Sequence, residues 1–282
     1  MSGNPFDDWI GRTEFATDIA AREPLKRLAA LLDHESPPWP EEEVPPLAHW
    51  LYFLPRAPQS AIGPDGHPLR GDFLPPIPLP RRMWAGSRVA FQKPLTVGAA
   101  ILRRSTIADI REKQGAGGQM AFVTIRHEIS GESGPAIVEE QDIVFRDAAP
   151  NVAGKSTMEL SVPELTRDIA LDSSALFRFS ALTFNAHRIH YDRDYARDIE
   201  FYPGLVVQGP FTAVLLLDLF LQNHSGARLS HMAVRALRPL FDGAPIRLCL
   251  ARDGARVKLW ALDPTGRAAM TAELTLETGK PT

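Results

Sequence analysis

The residues best suited to acid–base chemistry lie in one short stretch, from Phe184 to Asp192. Two histidines three positions apart, His187 and His190, follow closely on Asn185. Imidazole titrates near neutral pH, so either histidine could move a proton to or from water or carbon. The spacing would place both rings on one face if the segment were helical. The alternative is that these polar residues only cap and solvate a loop, as most short motifs of this kind do.

Two features of the neighbouring sequence favour chemistry over a solvated loop. The polar stretch lies between two apolar segments, and Gly209 follows it at the start of an apolar helix pattern that runs from Pro210 to Asn223. Backbone N–H groups at the start of a helix can stabilise negative charge that develops on an oxygen. Gly209 could instead only begin the helix or allow close packing.

Composition limits the classes of function. Of 282 residues, 31 are Lys or Arg and 34 are Asp or Glu, so the net charge is -3 and a duplex nucleic acid partner is not expected. No run of about 18 apolar residues predicts a membrane helix. The single cysteine, Cys249, allows no internal disulfide, and the N-terminus lacks a secretory pattern. These features predict a cytoplasmic protein.

A metal centre is not predicted. A metal site built on His187 and His190 would lack a third ligand at a convincing spacing.

The rest of the chain reads as the same arrangement twice, a helix followed by an antiparallel meander. Thirteen of the 25 prolines lie between Pro37 and Pro80, in a segment too apolar for a disordered linker, which predicts a packed wrap. Residues 148 to 156 read as a linker. The predicted helices are Arg22–Asp33, Leu47–Leu54 and Pro210–Asn223. The predicted strands are Arg88–Gln92, Ala99–Glu112, Met120–Ser130, Ala136–Arg146, Leu176–Leu182, His231–Leu240, Ile246–Arg252, Arg256–Leu262 and Ala268–Glu277.

The polar stretch resembles the signature of the MaoC-like hydratases and dehydratases, also called hydratase 2, of the hotdog superfamily. That signature contains a Gly-Asp-x-Asn-Pro-(Ile/Leu/Val)-His run. Aligned on its final residue, His190 matches the catalytic histidine and Ile189 the aliphatic position, while Asn185 replaces the catalytic aspartate. His187 stands in place of the asparagine, and Arg188 in place of the proline.

A second element strengthens the resemblance. The run from Gly204 to Gly209 is similar to the family's Gly-x-x-x-His-Gly element, in which the N–H of the last glycine receives the thioester oxygen. The N-terminal runs His49–Leu54, Asp65–Pro68 and Pro78–Gly86 look like the degenerate first hotdog of one branch. That branch contains type 2 hydroxyacyl-thioester dehydratases and the mesaconyl-C4-CoA (3-methylfumaryl-CoA) and itaconyl-CoA hydratases.

The resemblance extends over roughly residues 10 to 277 and implies an α+β fold. Each half would be an antiparallel sheet wrapped around a central helix, which together make a double (tandem) hotdog. Residues 1–150 would form the degenerate N-terminal hotdog, and residues 151–282 the C-terminal hotdog that carries the catalytic motif. A homodimer is the expected assembly.

The resemblance also implies an activity, the addition of water to an enoyl-thioester or its removal. Asn185 cannot accept a proton, so it would hold the water, and both proton transfers would fall on His190. The Gly209 N–H would stabilise the thioester oxygen. The CoA thioester is then the substrate, and no separate cofactor is expected. His187, Tyr191 and Asp192 would support the site, with Asp192 fixing an imidazole tautomer.

The expected acyl group is a branched C5 dicarboxylic one, such as itaconyl or mesaconyl. Its free carboxylate would require an arginine, and the candidates are Arg81, Arg82 and Arg188. Gln208 is a further candidate for contact with the substrate.

Three alternatives stay open at this point. A thioesterase of the same fold would need a carboxylate at the position of Asn185. A 3-hydroxyacyl-ACP dehydratase of fatty-acid or polyketide metabolism would prefer apolar chains. A hotdog that only binds acyl-CoA is conceivable because the motif aspartate is absent, although His190 and Gly209 argue for activity.

Overall fold

The computed structural model describes residues 5–115, 118–147, 160–254 and 256–277. The strands are β1 (Thr13–Ile19), β2 (Arg81–Phe91), β3 (Ala100–Gly115), β4 (Gly118–Gly131), β5 (Gly134–Arg146), β6 (Leu165–Ala170), β7 (Leu229–Ala236), β8 (Pro245–Asp253), β9 (Arg256–Leu262) and β10 (Ala268–Leu276). The helices are α1 (Arg22–Leu31), α2 (Ser173–Leu182) and α3 (Gly209–Asn223). Short helical turns lie at Asp7–Trp9, Ala48–Leu51, Gln59–Ala61, Arg188–His190 and Tyr195–Ile199.

The strands form one antiparallel sheet in the order β1-β3-β4-β5-β2-β7-β10-β9-β8-β6. Counted from each edge inward, the two halves follow the same order, β1-β3-β4-β5-β2 in the N-terminal half and β6-β8-β9-β10-β7 in the C-terminal half. Strand β2 pairs with β7 at the centre of the sheet, where Val89 lies opposite Met232. The predicted repeat of two meanders is therefore confirmed. The predicted linker and the boundary between residues 150 and 151 lie outside the described residues.

Helix α3 is the centre of the C-terminal half. Its residues from Phe211 to Leu221 are all buried, as expected for a helix that is apolar on every side. Phe211 stacks on Phe179 of α2 with ring centroids 4.6 Å apart. Asp218, the charged residue within this run, is paired with His34 and Arg167, which allows its burial.

The N-terminal half covers its sheet with the proline-rich segment, as predicted. Leu47, Tyr52 and Phe53 from this segment are buried in the main core. The helix predicted over Leu47–Leu54 is only the turn Ala48–Leu51, because Leu47 and Phe53 adopt positive φ angles of 68° and 55° that end it on both sides.

The strand predicted over Leu176–Leu182 is wrong, since these residues belong to α2. Asp172 begins this helix by accepting a hydrogen bond from the N–H of Ala175 at 2.8 Å. Leu176, Phe179 and Ser180 form its buried side, at helical spacing. Strands β1 and β6, one at each edge of the sheet, were not predicted. Helices long and apolar enough to cross a membrane are absent from the described residues.

Candidate active site

A cavity of about 280 Å³ opens where the start of α3, the loop before it and strand β2 meet. Both halves of the chain contribute to its wall. The C-terminal half supplies Asn185, His187, His190 and Gly209, and the N-terminal half supplies His67 and Arg82. The structure therefore brings together four residues of the predicted motif and adds two from a distant part of the sequence.

His190 is held by the backbone around it. Its Nδ1 lies 2.7 Å from the carbonyl of Val206 and must donate a proton to it, which leaves Nε2 as the acceptor. The N–H of Val206 in turn donates to Ile189 at 2.9 Å. Burial lowers the pKa of His190 to about 4, although the hydrogen bond to the carbonyl of Val206 acts in the opposite direction. His190 is therefore a neutral imidazole at pH 7 with a basic nitrogen for the cavity.

Asn185 follows a sharp turn in which Phe184 has a φ of 49°. Its Oδ1 accepts a hydrogen bond from the N–H of His187 at 3.0 Å, while its own N–H donates to the carbonyl of Ser180. No described residue accepts from its Nδ2, which leaves the amide two donors for a ligand or water.

Gly209 begins α3 directly at the cavity. The first N–H groups of a helix have no partner within the helix. Here no side chain caps them, and Pro210, which follows Gly209, has no N–H of its own. A Cβ at position 209 would lie 2.6 Å from Cε3 of Trp84. Only glycine therefore lets the start of the helix approach the cavity wall this closely. Gly209 therefore combines close packing against Trp84 with a backbone N–H donor at the cavity.

His187 lies between the other two cavity histidines. Its ring centroid is 5.3 Å from that of His190 and 4.2 Å from that of His67. Burial, and after it the charge of the neighbouring His67, lower the pKa of His187 to about 2. The ring makes no hydrogen bond with the residues that the structure describes.

His67 and Asp65 are the site residues that sequence reasoning missed. Asp65 Oδ2 lies 3.0 Å from Nδ1 of His67, and Gly66 between them has a φ of 91°. A Cβ on Gly66 would lie 1.8 Å from the carbonyl oxygen of Ala186, so this turn presses directly on the motif loop. The carbonyl of Asp65 also accepts from the N–H of Arg188 at 2.9 Å. The Asp-Gly-His run was itself the signal, since a glycine that needs a positive φ often marks close backbone approach.

Asp65, His67 and His187 place one potential ligand atom each within 4.8 Å of one another. The carboxylate and the imidazole of the first two already bind each other at 3.0 Å. A metal ion would have to replace that hydrogen bond. The sequence-based argument against a metal considered only His187 and His190, and the absence of a metal stays a prediction.

The three candidate arginines differ in their partners. Arg81 is buried and binds the carboxylate of Glu200 at 2.9 Å, and Arg188 binds Asp192 at 2.7 Å. Arg82 lines the cavity and, among the described residues, donates no hydrogen bond and forms no ion pair. Burial lowers its pKa to about 10, so it stays charged at pH 7.

Other predicted site residues lie outside the cavity lining. Gln208 is buried and donates to the carbonyl of Leu176 and to Ser180, both at 2.9 Å, so it fastens α2 to the start of α3. Tyr191 is exposed, and its hydroxyl donates to the carbonyl of Ala186. Asp192 binds Arg188 and the N–H of Tyr195. The tautomer of His190 is thus fixed by a backbone carbonyl and not by Asp192.

A sequence profile of the hydroxyacyl-thioester dehydratase type 2 family matches residues 47–242. The chain belongs to this family. This dehydratase-family chain is 46% identical over 279 residues to a mesaconyl-C(4)-CoA hydratase of Chloroflexus aurantiacus, covering 98% of this chain and 99% of the relative.

Solved structures agree on the fold of this family member. A MaoC-like dehydratase superposes with a TM-score of 0.73 at 15% identity, covering 97% of this chain and 100% of the other. A Mycobacterium tuberculosis protein described as having a double hotdog fold gives 0.56 at 11% identity, covering 97% and 98%. The MaoC-like resemblance and the α+β double hotdog are confirmed. The chain is a hydro-lyase that acts on an acyl-CoA thioester.

Proposed function

We propose that this enzyme hydrates a branched C5 dicarboxylic enoyl-CoA, with mesaconyl-C4-CoA as the first candidate and itaconyl-CoA as the second. The identity of 46% to a mesaconyl-C(4)-CoA hydratase over nearly the whole chain supports this substrate class. The observation that carries the proposal is the cavity itself. It holds the basic nitrogen of His190 together with the cation of Arg82, which no described residue neutralises.

His190 and Asn185 are the proposed partners of the attacking water. The Asn185 amide orients the water, and Nε2 of His190 takes one of its protons as the oxygen bonds to the β carbon. In mesaconyl-C4-CoA the double bond is conjugated with the thioester, so its electron pair moves toward the thioester, whose oxygen gains negative charge. The Gly209 N–H and the dipole of α3 stabilise that charge.

Protonation of the α carbon completes the addition. The imidazolium of His190 returns its proton there as the electron pair of the enolate moves back. The thioester carbonyl is restored and His190 is neutral again. Because its pKa in the free enzyme is about 4, His190 is a weak base before substrate binds but a strong acid once protonated, which suits this second step.

Arg82 is the proposed partner of the substrate's free carboxylate. In mesaconyl-C4-CoA this carboxylate is attached to the β carbon, so it must lie beside the attacking water and the motif loop. Arg82 lines the same cavity, whereas Arg81 and Arg188 are neutralised by Glu200 and Asp192. A guanidinium can bind a carboxylate through two parallel hydrogen bonds.

The test compares purified wild type and Arg82→Gln on mesaconyl-C4-CoA, itaconyl-CoA and crotonyl-CoA, with products separated by chromatography. We expect wild type to hydrate a dicarboxylic substrate fastest, and Arg82→Gln to lower its kcat/KM by about 10²-fold. Arg88→Gln is the matched control, because Arg88 lies on the same strand and binds Asp142 and Glu140 instead. Hydration of crotonyl-CoA alone would instead favour the 3-hydroxyacyl-ACP dehydratase alternative.

A further inference from the structure

One corner of the cavity combines three nitrogen-bearing side chains with one carboxylate. We name Asp65, His67, Arg82 and His187 the His–Arg corner. His67, Arg82 and His187 line the cavity, and the rings of His67 and His187 lie 4.2 Å apart. Asp65 lies behind His67, where both of its carboxylate oxygens are used. Oδ1 accepts from the His67 N–H, and Oδ2 from the ring, each at 3.0 Å.

The hydrogen bonds fix how His67 faces the cavity. Because Asp65 is ionised, Nδ1 of His67 must carry the proton that it donates to Oδ2. Burial raises the pKa of Asp65, but the two hydrogen bonds that His67 donates to its carboxylate help to keep the pKa below its ordinary value. Nε2 of His67 has no hydrogen-bond partner among the described residues and is left for a ligand.

The charges around His67 disfavour its protonation while the cavity holds no anion. Burial lowers the pKa of His67, and the charges of Arg82 and Arg70 lower it as well, whereas the hydrogen bond that His67 donates to Asp65 raises it. Arg70 is fixed on the carbonyls of Ile77, Leu79 and Pro80, and His187 and His190 face His67 from the motif loop. Glu200, the other acidic group near Asp65, is bound to Arg81. The corner therefore has a surplus of potential cations.

The His–Arg corner and the start of α3 line the same cavity. His187 of the corner lies with its ring centroid 5.3 Å from that of His190. His190 is in turn bound to the carbonyl of Val206, just before Gly209 and α3. A short dicarboxylic acyl chain whose thioester oxygen is bound by the Gly209 N–H would therefore occupy the cavity that the corner lines.

We propose that His67, braced by Asp65, binds the substrate's free carboxylate together with Arg82 and so selects dicarboxylic acyl groups. The proposal rests on the proposed function for its substrate class. It adds a specificity-determining residue from the N-terminal half and gives the Asp65–His67 pair a purpose that the hydration step alone does not require.

Binding of a carboxylate should be coupled to uptake of a proton. An anion at Nε2 places His67 between two carboxylates, which favours the doubly protonated ring. At neutral pH the free enzyme holds His67 neutral, so a dicarboxylic ligand brings a proton with it. Its affinity should weaken as pH rises through the pKa of the bound state. A monocarboxylic acyl-CoA lacks the second anion and should take up no proton here.

The experiment measures binding of two saturated thioesters that cannot be hydrated, methylsuccinyl-CoA and butyryl-CoA, by calorimetry in two buffers of different ionisation enthalpy. For wild type we expect tighter binding of methylsuccinyl-CoA and net proton uptake with that ligand alone. For His67→Gln we expect the preference to fall by about 10-fold or more, since a charge-assisted hydrogen bond is lost, and the uptake to disappear.

Two further variants make the experiment decisive. Asp65→Asn should reduce the preference and the proton uptake by less than His67→Gln, and it provides the test if His67→Gln does not fold. His127→Gln is the control, because His127 is a half-buried histidine that binds Ser105 on β3, outside the cavity lining. It should keep both the preference and the uptake of wild type.

Three results would overturn the proposal. Equal loss of affinity for both ligands in His67→Gln would indicate a structural role. Unchanged binding with a collapse of kcat would indicate proton transfer by His67. Stoichiometric zinc in the purified enzyme, lost in both variants, would indicate a metal centre. If wild type shows the selectivity and the proton uptake but hydrates none of the enoyl-CoAs, the proposal for the His–Arg corner is supported and the proposed function is wrong.

Discussion

Two groups of this molecule contain a histidine bound to a carboxylate, one of them buried in the core and the other partly exposed at the cavity. In the Glu139 group, the carboxylate of Glu139 accepts from His49 at 2.9 Å, from Trp50 at 3.0 Å and from Ser87 at 2.6 Å. None of these four residues lines the active-site cavity. In the cavity group, Asp65, His67, His187 and His190 leave several ring nitrogens without a described partner.

The comparison shows that access of unpaired nitrogens to the cavity, and not the presence of a titratable pair, distinguishes the cavity group from the Glu139 group. The pKa of Glu139 is about 2, because bonds from His49 and Ser87 outweigh burial, and the pKa of Asp65 is depressed for the same kind of reason. Shifted pKa values alone would therefore rank both groups as candidate sites. Nδ1 of His49 also lacks a hydrogen-bond partner, but it is buried away from the cavity, so the free nitrogens that a ligand can reach are those of the cavity group.

The largest difference should come from removing the base. His190→Gln should lower kcat by about 10³-fold, since general acid–base catalysis supplies about that factor, and should still fold. The assay is steady-state hydration of the enoyl-CoA substrate, with circular dichroism to check the fold. Near-normal turnover in this variant would mean that His190 is not the catalytic base.

The opposite behaviour is expected of the Glu139 group. Glu139→Ala leaves His49, Trp50 and Ser87 without their common acceptor in the core. Such a loss should lower the free energy of unfolding by about 3 kcal/mol. Urea denaturation measures the change, and turnover of the folded fraction should stay within a factor of about three of wild type, a change of under 1 kcal/mol. A stable but inactive variant would contradict the comparison.

Asn185 should have a smaller effect than His190. Asn185→Ala removes neutral hydrogen bonds to the water and to the N–H of His187, which is worth about 10-fold in kcat. Asn185→Asp keeps the bond to His187 and adds a charge near His190. It should therefore raise the pKa of His190 and move the acid limb of the kcat/KM profile to higher pH. An equal loss in Asn185→Ala and His190→Gln would give Asn185 a larger role.

The sequence was sufficient for the parts of the molecule that follow from local patterns. The meanders and the long apolar helix α3 follow from hydrophobic periodicity, and the cavity positions of His190, Asn185 and Gly209 follow from the motif that they resemble. Helix α2 was misread because a short apolar run was taken as a strand, although Asp172 is a typical first residue of a helix.

The remaining site residues depend on long-range contacts. Residues 65–67 reach the motif loop, more than a hundred residues later, because Gly66 fits against the carbonyl of Ala186. Nothing local distinguishes Arg82 from Arg81 either. As consecutive residues of β2 they point to opposite faces of the sheet, and Glu200, from a distant turn, pairs with Arg81. Which charges remain unpaired is a property of the tertiary structure.

The smallest expected effect concerns the pH range in which each of the two groups changes the free energy of unfolding. The pKa of His190 is about 4 in the folded protein, below the ordinary 6.5, so the unfolded chain binds a proton that the folded one refuses between these values. Stability should therefore fall as pH drops from 6.5 toward 4. The pKa of Glu139 is about 2 against an ordinary 4.5, which places its contribution between pH 4.5 and 2.

Urea denaturation as a function of pH tests these two windows. The slope in His190→Gln should be shallower than in wild type between pH 6.5 and 4, and the slope in Glu139→Gln shallower between pH 4.5 and 2. Each difference should be at most about 1.4 kcal/mol per pH unit, the limit for one proton. If His190→Gln instead left the upper window unchanged, His190 would be protonated alike in the folded and unfolded states. The lowering of the pKa of His190 by burial would then be wrong.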